Sequence, residues 1–342
     1  MTTRRSYLVG VGVLLTCLLL WWAFRDVDLE VAWRHMRSGS PGLLTAAALA
    51  AFAGLVARGV RWRFLFARGV EPRTRDLVRA VVIGTFVNNL LPVRAGEIAT
   101  LVALRRSSKV AISTGLLSSA AGRALDSAVV LAMLSASLLW SLDQASYLPL
   151  SLAVTAVSVT LVAVLVAASW FAEPVRSLAP AVTARLLPQR LRARADHAVD
   201  GALIGVEALR SSGRLGLAVL WTVLAWLLNG SAGWLGLRAF HVDAPAWAAL
   251  TLQGILAIGV ALPSSPGFFG PFEASGRAAL GLYGVDPSTA VGFIVPFHLA
   301  VYFVPALLAG AAALLVPGGG QRGLADPPRL PEEPGPSGPA PP

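Results

Sequence analysis

The sequence predicts an all-α, polytopic membrane protein with about six full spans and two re-entrant, broken-helix hairpins set in an inverted repeat. Three observations predict it. The chain of 342 residues is 56% hydrophobic and only 13% charged, whereas soluble domains run at roughly 45–50% and 25%. Its apolar residues gather into long runs, and all but one (Lys109) of its 28 basic residues are arginines clustered in the gaps between those runs. Two runs, at 79–106 and 252–277, are each interrupted by the pattern L-P-x-x-x-G, at Leu91–Gly96 and Leu262–Gly267, and Pro92 and Pro263 lie half a chain length apart. A Pro–Gly break strips helix hydrogen bonds, which a bilayer tolerates only where protein or a water-filled cavity re-satisfies the backbone. Paired breaks in corresponding halves point to a transporter-like site. The same pattern also fits a bundle of seven or eight helices with Pro-kinked spans.

The N-terminal run Tyr7–Phe24 follows Arg4 and Arg5 and has no small-residue cleavage site after it. It reads as an uncleaved signal-anchor span with a cytoplasmic N-terminus. Residues 25–41, with Asp26, Asp28 and Glu30, form a short external segment. A second span, about 42–62, leads into the arginines from Arg58 to Arg79, the mark of a cytoplasmic loop. If 80–104 enters, breaks and returns, Arg105, Arg106 and Lys109 stay inside, so a hairpin is preferred there to a span. The third span (about 115–140) and the fourth (about 147–171) lead to a second arginine-rich cytoplasmic stretch, 173–214. Within it Leu191, Ala195, Val199, Leu203, Val206 and Leu209 recur at helical spacing, either as a helix on the inner leaflet or as a solvated linker helix. The fifth span (about 215–237), the second broken element (about 246–283) and the last span (about 288–316) complete the apolar part. The Pro/Gly-rich residues that follow read as a disordered cytoplasmic tail.

The resulting divisions are 1–41, signal-anchor span and external segment; 42–146, first repeat; 147–212, fourth span and basic loop; 213–316, second repeat; and 317–342, tail. An odd number of crossings separates the two copies, which inverts them. The net charge of +10 needs no nucleic-acid partner, because positive-inside topology accounts for it. Cys17 is the single cysteine, so no internal disulfide framework exists.

Ionisable groups at membrane depth are expensive and face a partner or a cavity. Arg94 and Glu97 lie in the first break, Arg123 and Asp126 in the third span, and Glu273 and Arg277 after the second break. Spacings of three or four put opposite charges on one helix face, so each pair is expected to neutralise itself. Such pairs are either folding clamps or a charged cleft for a headgroup. Asn88, Asn89, Ser264 and Ser265 flank or occupy the breaks and either cap freed backbone groups or bind the same headgroup. Pro92, Gly96, Pro263, Pro266, Gly267 and Gly270 make the breaks themselves. His298 lies in an apolar run, where a histidine is either a packing residue or a titrating one. Gly230, Gly233 and Gly236 are expected to permit close helix packing. No P-loop, zinc or nucleophile-elbow motif occurs, and neither a cofactor, a metal nor catalysis is expected.

The run NNLLPVRAGE (Asn88–Glu97) with the downstream Arg123-Ala124-Leu125-Asp126, and LPSSPGFFGPFE (Leu262–Glu273) followed by Tyr302, Pro305 and Gly310, resemble the membrane domain of lysylphosphatidylglycerol synthases and their stand-alone, flippase-like relatives. The resemblance covers about residues 40–316. It implies a bacterial or archaeal inner-membrane protein that moves or holds a phospholipid or polyprenol-linked lipid. The family pattern carries an arginine near the position of His298. Full-length synthases continue into a soluble aminoacyl-transfer domain where this chain has its Pro/Gly-rich tail, so lysyl transfer is not expected. On this reading Glu97, Asp126 and Glu273 contact cationic parts of a headgroup and Arg94 and Arg123 its phosphate. A second reading makes the chain the docking partner of a separate lipid-linked glycosyltransferase or cell-envelope enzyme.

Overall fold

In a computed structural model the described residues are 2–66, 72–91, 95–141, 144–170, 172–186, 188–189, 192, 212–262 and 265–315. They are helical almost throughout, with no strand among them. The helices are α1 (Thr2–Phe24), α2 (Leu29–Arg37), α3 (Pro41–Trp62), α4 (Thr74–Leu90), α5 (Gly96–Ser108), α6 (Ile112–Ser141), α7 (Gln144–Trp170) and α8 (Ala172–Leu186). They continue as α9 (Ser212–Ala239), α10 (Ala248–Gly259), α11 (Pro271–Gly281), α12 (Pro287–Phe297) and α13 (Val304–Leu315). A π-helical turn, His298–Phe303, joins the last two.

The protein is a polytopic helical membrane protein. Among the described residues, four stretches are long and apolar enough to cross a bilayer: Pro41–Leu65, Ile112–Trp140, Gly213–Ala239 and Pro287–Leu315. They coincide with four of the six expected spans. The expected first span is represented by the shorter apolar helix Gly12–Phe24, and the expected fourth span forms α7. The amphipathic pattern of 191–209, the tail 317–342 and the residues Pro92, Arg94, Pro263 and Ser264 lie outside the described residues.

Both breaks fold the chain back on itself. In the first half Ser108 donates to Asp76 (3.3 Å), a Cβ on Gly84 would fall on Thr100, and the Gly96 amide donates to the Asn88 side chain (2.8 Å), so α4 and α5 run antiparallel. In the second, Thr251 meets Tyr283 (2.6 Å) and Gly259 abuts Ser275, so α10 and α11 do the same. The arms, of 17, 13, 12 and 11 residues, are shorter than the ~20 residues that span a bilayer. Turn chemistry fits the sharp reversal. Gly267 (φ 71°) and Gly270 (φ 94°) hold backbone angles in the left-handed half of φ space that a side chain resists.

Each half has the same order: long helix, broken hairpin, long helix. The halves are inverted, because their first long helices run antiparallel: Ser40 donates to Ala239 (3.0 Å), Gly54 touches Ala225 and Asn229, Arg61 reaches Thr222, and Arg214 donates to the carbonyls of Arg63 and Phe66. The buried face of α3 is a stripe of small residues, Ala47, Ala51, Gly54 and Ala57, which lets the backbones approach closely. Each hairpin then packs on the last long helix of the other half. Arg79 donates to Ala313 (2.9 Å) and Gly310 abuts Phe86, while Ser137 meets Thr251 (2.9 Å) and Gly254 abuts Leu134. Gly230, Gly233 and Gly236 lie against Leu250, Gln253 and Phe297, as close packing requires.

The N-terminal helices add to the second half alone among the described residues. Residues 25–41 carry a short helix: Asp28 caps α2 by accepting from Glu30 and Val31, and α2 packs on α12, with His35 against Thr289 and Gly292. Thr16 of α1 accepts from the Ser265 amide in the second break (3.1 Å).

Candidate functional site

The polar groups expected to pair within one helix pair across helices instead. Arg123 forms its ion pair with Glu97 of α5, not with Asp126. Asp126 takes a two-pronged bond from Arg61 of α3 (2.5 and 3.0 Å) and a third from the indole of Trp226 on α9 (3.0 Å). Glu273 bonds His298 (2.7 Å), not Arg277. Arg277 donates to the carbonyls of Trp22, Ala23 and Arg25 at the end of α1 and stacks on Trp22 (4.9 Å), where a cation suits the negative end of a helix. The correction has one cause: residues three apart on a helix diverge by about 60°, so in a bundle they face different neighbours.

Arg58 and Arg61 both belong to α3, within the expected span 42–62, and Arg61 is 7% exposed. Arg79 likewise lies in α4.

Once these partners are known, the two halves match. Glu97 and Glu273 each stand in the first turn of the hairpin's second arm. Each pairs with a base on the long helix that follows, Arg123 on α6 and His298 on the π turn between α12 and α13. The two pairs differ in access. The side chains of Arg123 and Glu97 are 48% and 38% exposed, those of His298 and Glu273 2% and 3%.

The buried pair is held on every side. One oxygen of Glu273 accepts from the Gly270 amide (2.7 Å), capping α11, and the other meets His298 Nδ1. The imidazole stacks on Phe272 with ring centres 3.8 Å apart and has Phe269 beside it. Pro305 explains the π turn, since it cannot donate to Val301 and its ring displaces that carbonyl, and the widened turn aims His298 and Tyr302 inward. Tyr302 accepts from Gln253 of α10 (2.9 Å).

Among the remaining expected residues, Asn88 caps the start of α5 through its side-chain oxygen, and Asn89 donates to the Thr85 carbonyl (2.9 Å). The Ser265 hydroxyl donates to the Phe269 carbonyl (3.1 Å) within the second break. The Asn88 and Ser265 bonds satisfy backbone groups at the breaks, while the Asn89 bond goes to a carbonyl inside α4. Arg58, Arg61, Trp226, Gln253 and Tyr302 were not foreseen as site residues. Their signal was periodicity: the small-residue stripe Ala47, Ala51, Gly54 continues in the same steps to Arg58 and Arg61.

The pattern of the lysylphosphatidylglycerol synthase TM region matches residues 9–309, nearly the whole helical body. The chain belongs to that family. No curated protein and no solved structure matches it. For this family member, the shared pattern spans both inverted hairpins and both carboxylate–base pairs, so the duplicated site lies within the family region.

Proposed function

We propose that this member of the family binds a phospholipid or polyprenyl-phosphate-linked lipid and moves its headgroup across the cell inner membrane, with both termini cytoplasmic. The observation that carries the reading is the duplicated carboxylate–base pair at the start of the returning arm in each inverted hairpin. Two short hairpins from opposite halves, each bringing a charge pair inward, suit a polar headgroup whose chains stay in lipid. One pair is accessible and its counterpart sealed, as expected of a carrier that exposes one half at a time. Glu97 and Glu273 would meet cationic parts of the headgroup in alternate states, and Arg94, Arg123 and Arg58 anionic ones. Coupling to an energy source is not assigned, and the charged groups serve binding, not bond breaking.

Purified protein in liposomes with fluorescent phosphatidylglycerol, phosphatidylethanolamine and a polyprenyl phosphate tests this. Wild-type protein should speed transbilayer movement of at least one lipid, and Glu97→Gln with Glu273→Gln should abolish the gain while the protein stays folded. Movement equal to that in protein-free vesicles for all three lipids would remove the reading.

A further inference from the structure

The guanidinium of Arg58 lies over Trp226, 4.9 Å from the ring centre. Its Nε is buried with no hydrogen-bond partner, and no carboxylate among the described residues pairs with it. The adjacent carboxylate, Asp126, is already engaged by both Nη atoms of Arg61 and by the Trp226 indole. Arg58, Arg61 and Asp126 therefore leave one net positive charge at the junction of α3, α6 and α9. A half-buried cation that must share its counter-charge, Asp126, with a second arginine is costly at membrane depth. The π turn that carries Tyr302 packs on α3, the helix of Arg58. That phenol oxygen accepts from Gln253, which leaves its own O–H as a donor.

We infer that Arg58, stacked on Trp226 and joined by the Tyr302 hydroxyl, is the binding site for a phosphate-type anion at the junction of the two inverted halves. The guanidinium presents a planar fork that matches phosphate oxygens, and the indole face holds that fork in one orientation. The bases of the hairpin pairs, Arg123 and His298, offer less, because each is already bonded to a carboxylate, Glu97 or Glu273. The inference rests on the lipid-handling reading, since a phosphodiester headgroup is one source of the anion; free inorganic phosphate is the other.

The test uses the full-length protein in nanodiscs of phosphatidylcholine. Phosphatidylglycerol and inorganic phosphate are titrated separately, with bound lipid counted by native mass spectrometry and stability followed by thermal unfolding. Phosphatidylglycerol should bind in preference to phosphatidylcholine, and Arg58→Gln should weaken that binding by about tenfold or more, the usual range for a charge-assisted bond. Tyr302→Phe should weaken it less, and Arg58→Lys should fall between. If inorganic phosphate stabilises the wild type but not Arg58→Gln while phosphatidylglycerol has no effect, the site stands and a lipid is not its ligand. Folded Arg58→Gln that binds phosphatidylglycerol like the wild type overturns the site and leaves lipid handling intact. Should Arg58→Gln fail to fold, unchanged affinity in both Arg58→Lys and Tyr302→Phe overturns it equally. Wild type that responds to neither ligand removes the site, while the lipid reading stands or falls separately on the transbilayer movement of the three lipids in liposomes.

Discussion

Removing Asp126 should be far more damaging than removing Asp126 and Arg61 together. Arg61 is 7% exposed, and Asp126 supplies its two ion-pair bonds as well as the acceptor for Trp226. In Asp126→Ala the Arg61 guanidinium keeps its charge, loses both bonds to the carboxylate and retains only the long contact to Thr222 (3.4 Å). Stranding one member of such a buried pair costs about 3–5 kcal/mol, whereas replacing both members by apolar residues of similar volume is close to neutral. Arg61→Met with Asp126→Leu should therefore lie within about 1 kcal/mol of wild type, giving an interaction energy of several kcal/mol in the double-mutant cycle. Reversible unfolding in mixed micelles titrated with dodecyl sulfate, followed by helical circular dichroism, measures all four corners of the cycle. The reasoning is refuted if the double variant is as unstable as Asp126→Ala, or if Asp126→Ala costs less than about 1 kcal/mol.

Three further expectations follow from the fold. In protein lacking Cys17, cysteines at positions 68 and 107 should label from one side of the membrane and a cysteine at 143 from the other, because Ser108 returns to Asp76 at the open end of the first hairpin. Labelling of 107 and 68 from opposite sides would turn the hairpin into a span. Gly96→Ala should destabilise more than Gly84→Ala: the new Cβ would lie 2.0 Å from the fixed Gly84 carbonyl in the first case and 1.8 Å from the rotatable Thr100 hydroxyl in the second. Equal thermal stability of the two variants would contradict that ordering. Asp286 caps α12 through bonds from Ser288 and Thr289 that, against partial desolvation, hold its carboxyl below its ordinary value of 3.8. A depressed pKa contributes stability above the ordinary value and loses it as pH falls through the lowered one. Asp286→Ala should then cost about 1 kcal/mol at pH 7, and the gap should close toward pH 3; a gap independent of pH would assign the effect to something other than the ionised cap.

The fold was legible in the sequence because membrane insertion writes its constraints locally. Apolar length fixes a span, and the Pro–Gly breaks at Leu91–Gly96 and Leu262–Gly267 marked both hairpins. Their recurrence in each half carried the inverted repeat, which the antiparallel contacts of α3 and α9 display. Arg58 and Arg61 escaped notice as site residues because charge density near a span end reads as loop. They sit in the last turns of α3, where the step from Ala51 and Gly54 puts Arg61 on the buried face and leaves Arg58 half-buried. Periodicity measured through the charges, not only through the apolar residues, would have found them.

The pairing of the charges was not legible from spacing within one helix, and the reason is geometric. A solvated helix satisfies its charges with neighbours three or four residues away because nothing else is near. A bundle in lipid offers other helices at contact distance, so Arg123 turns to α5 and Asp126 to α3, and each finds a better-oriented partner than its sequence neighbour. The informative comparison runs between halves. Each half places an acid at the start of the hairpin's second arm and a base on the next long helix at nearly the same interval, with Glu97 matching Glu273 and Arg123 matching His298. The match also accounts for His298 inside an apolar run, since its counterpart in the repeat, Arg123, likewise pairs with the acid that opens the hairpin's second arm. Where the halves differ, with arginine exposed in one and histidine stacked on Phe272 and buried in the other, the difference sets the two sites in unequal states of access. Two inverted copies of one acid–base pair, held unequal by the same chain, are the feature on which the proposed carrier reading rests.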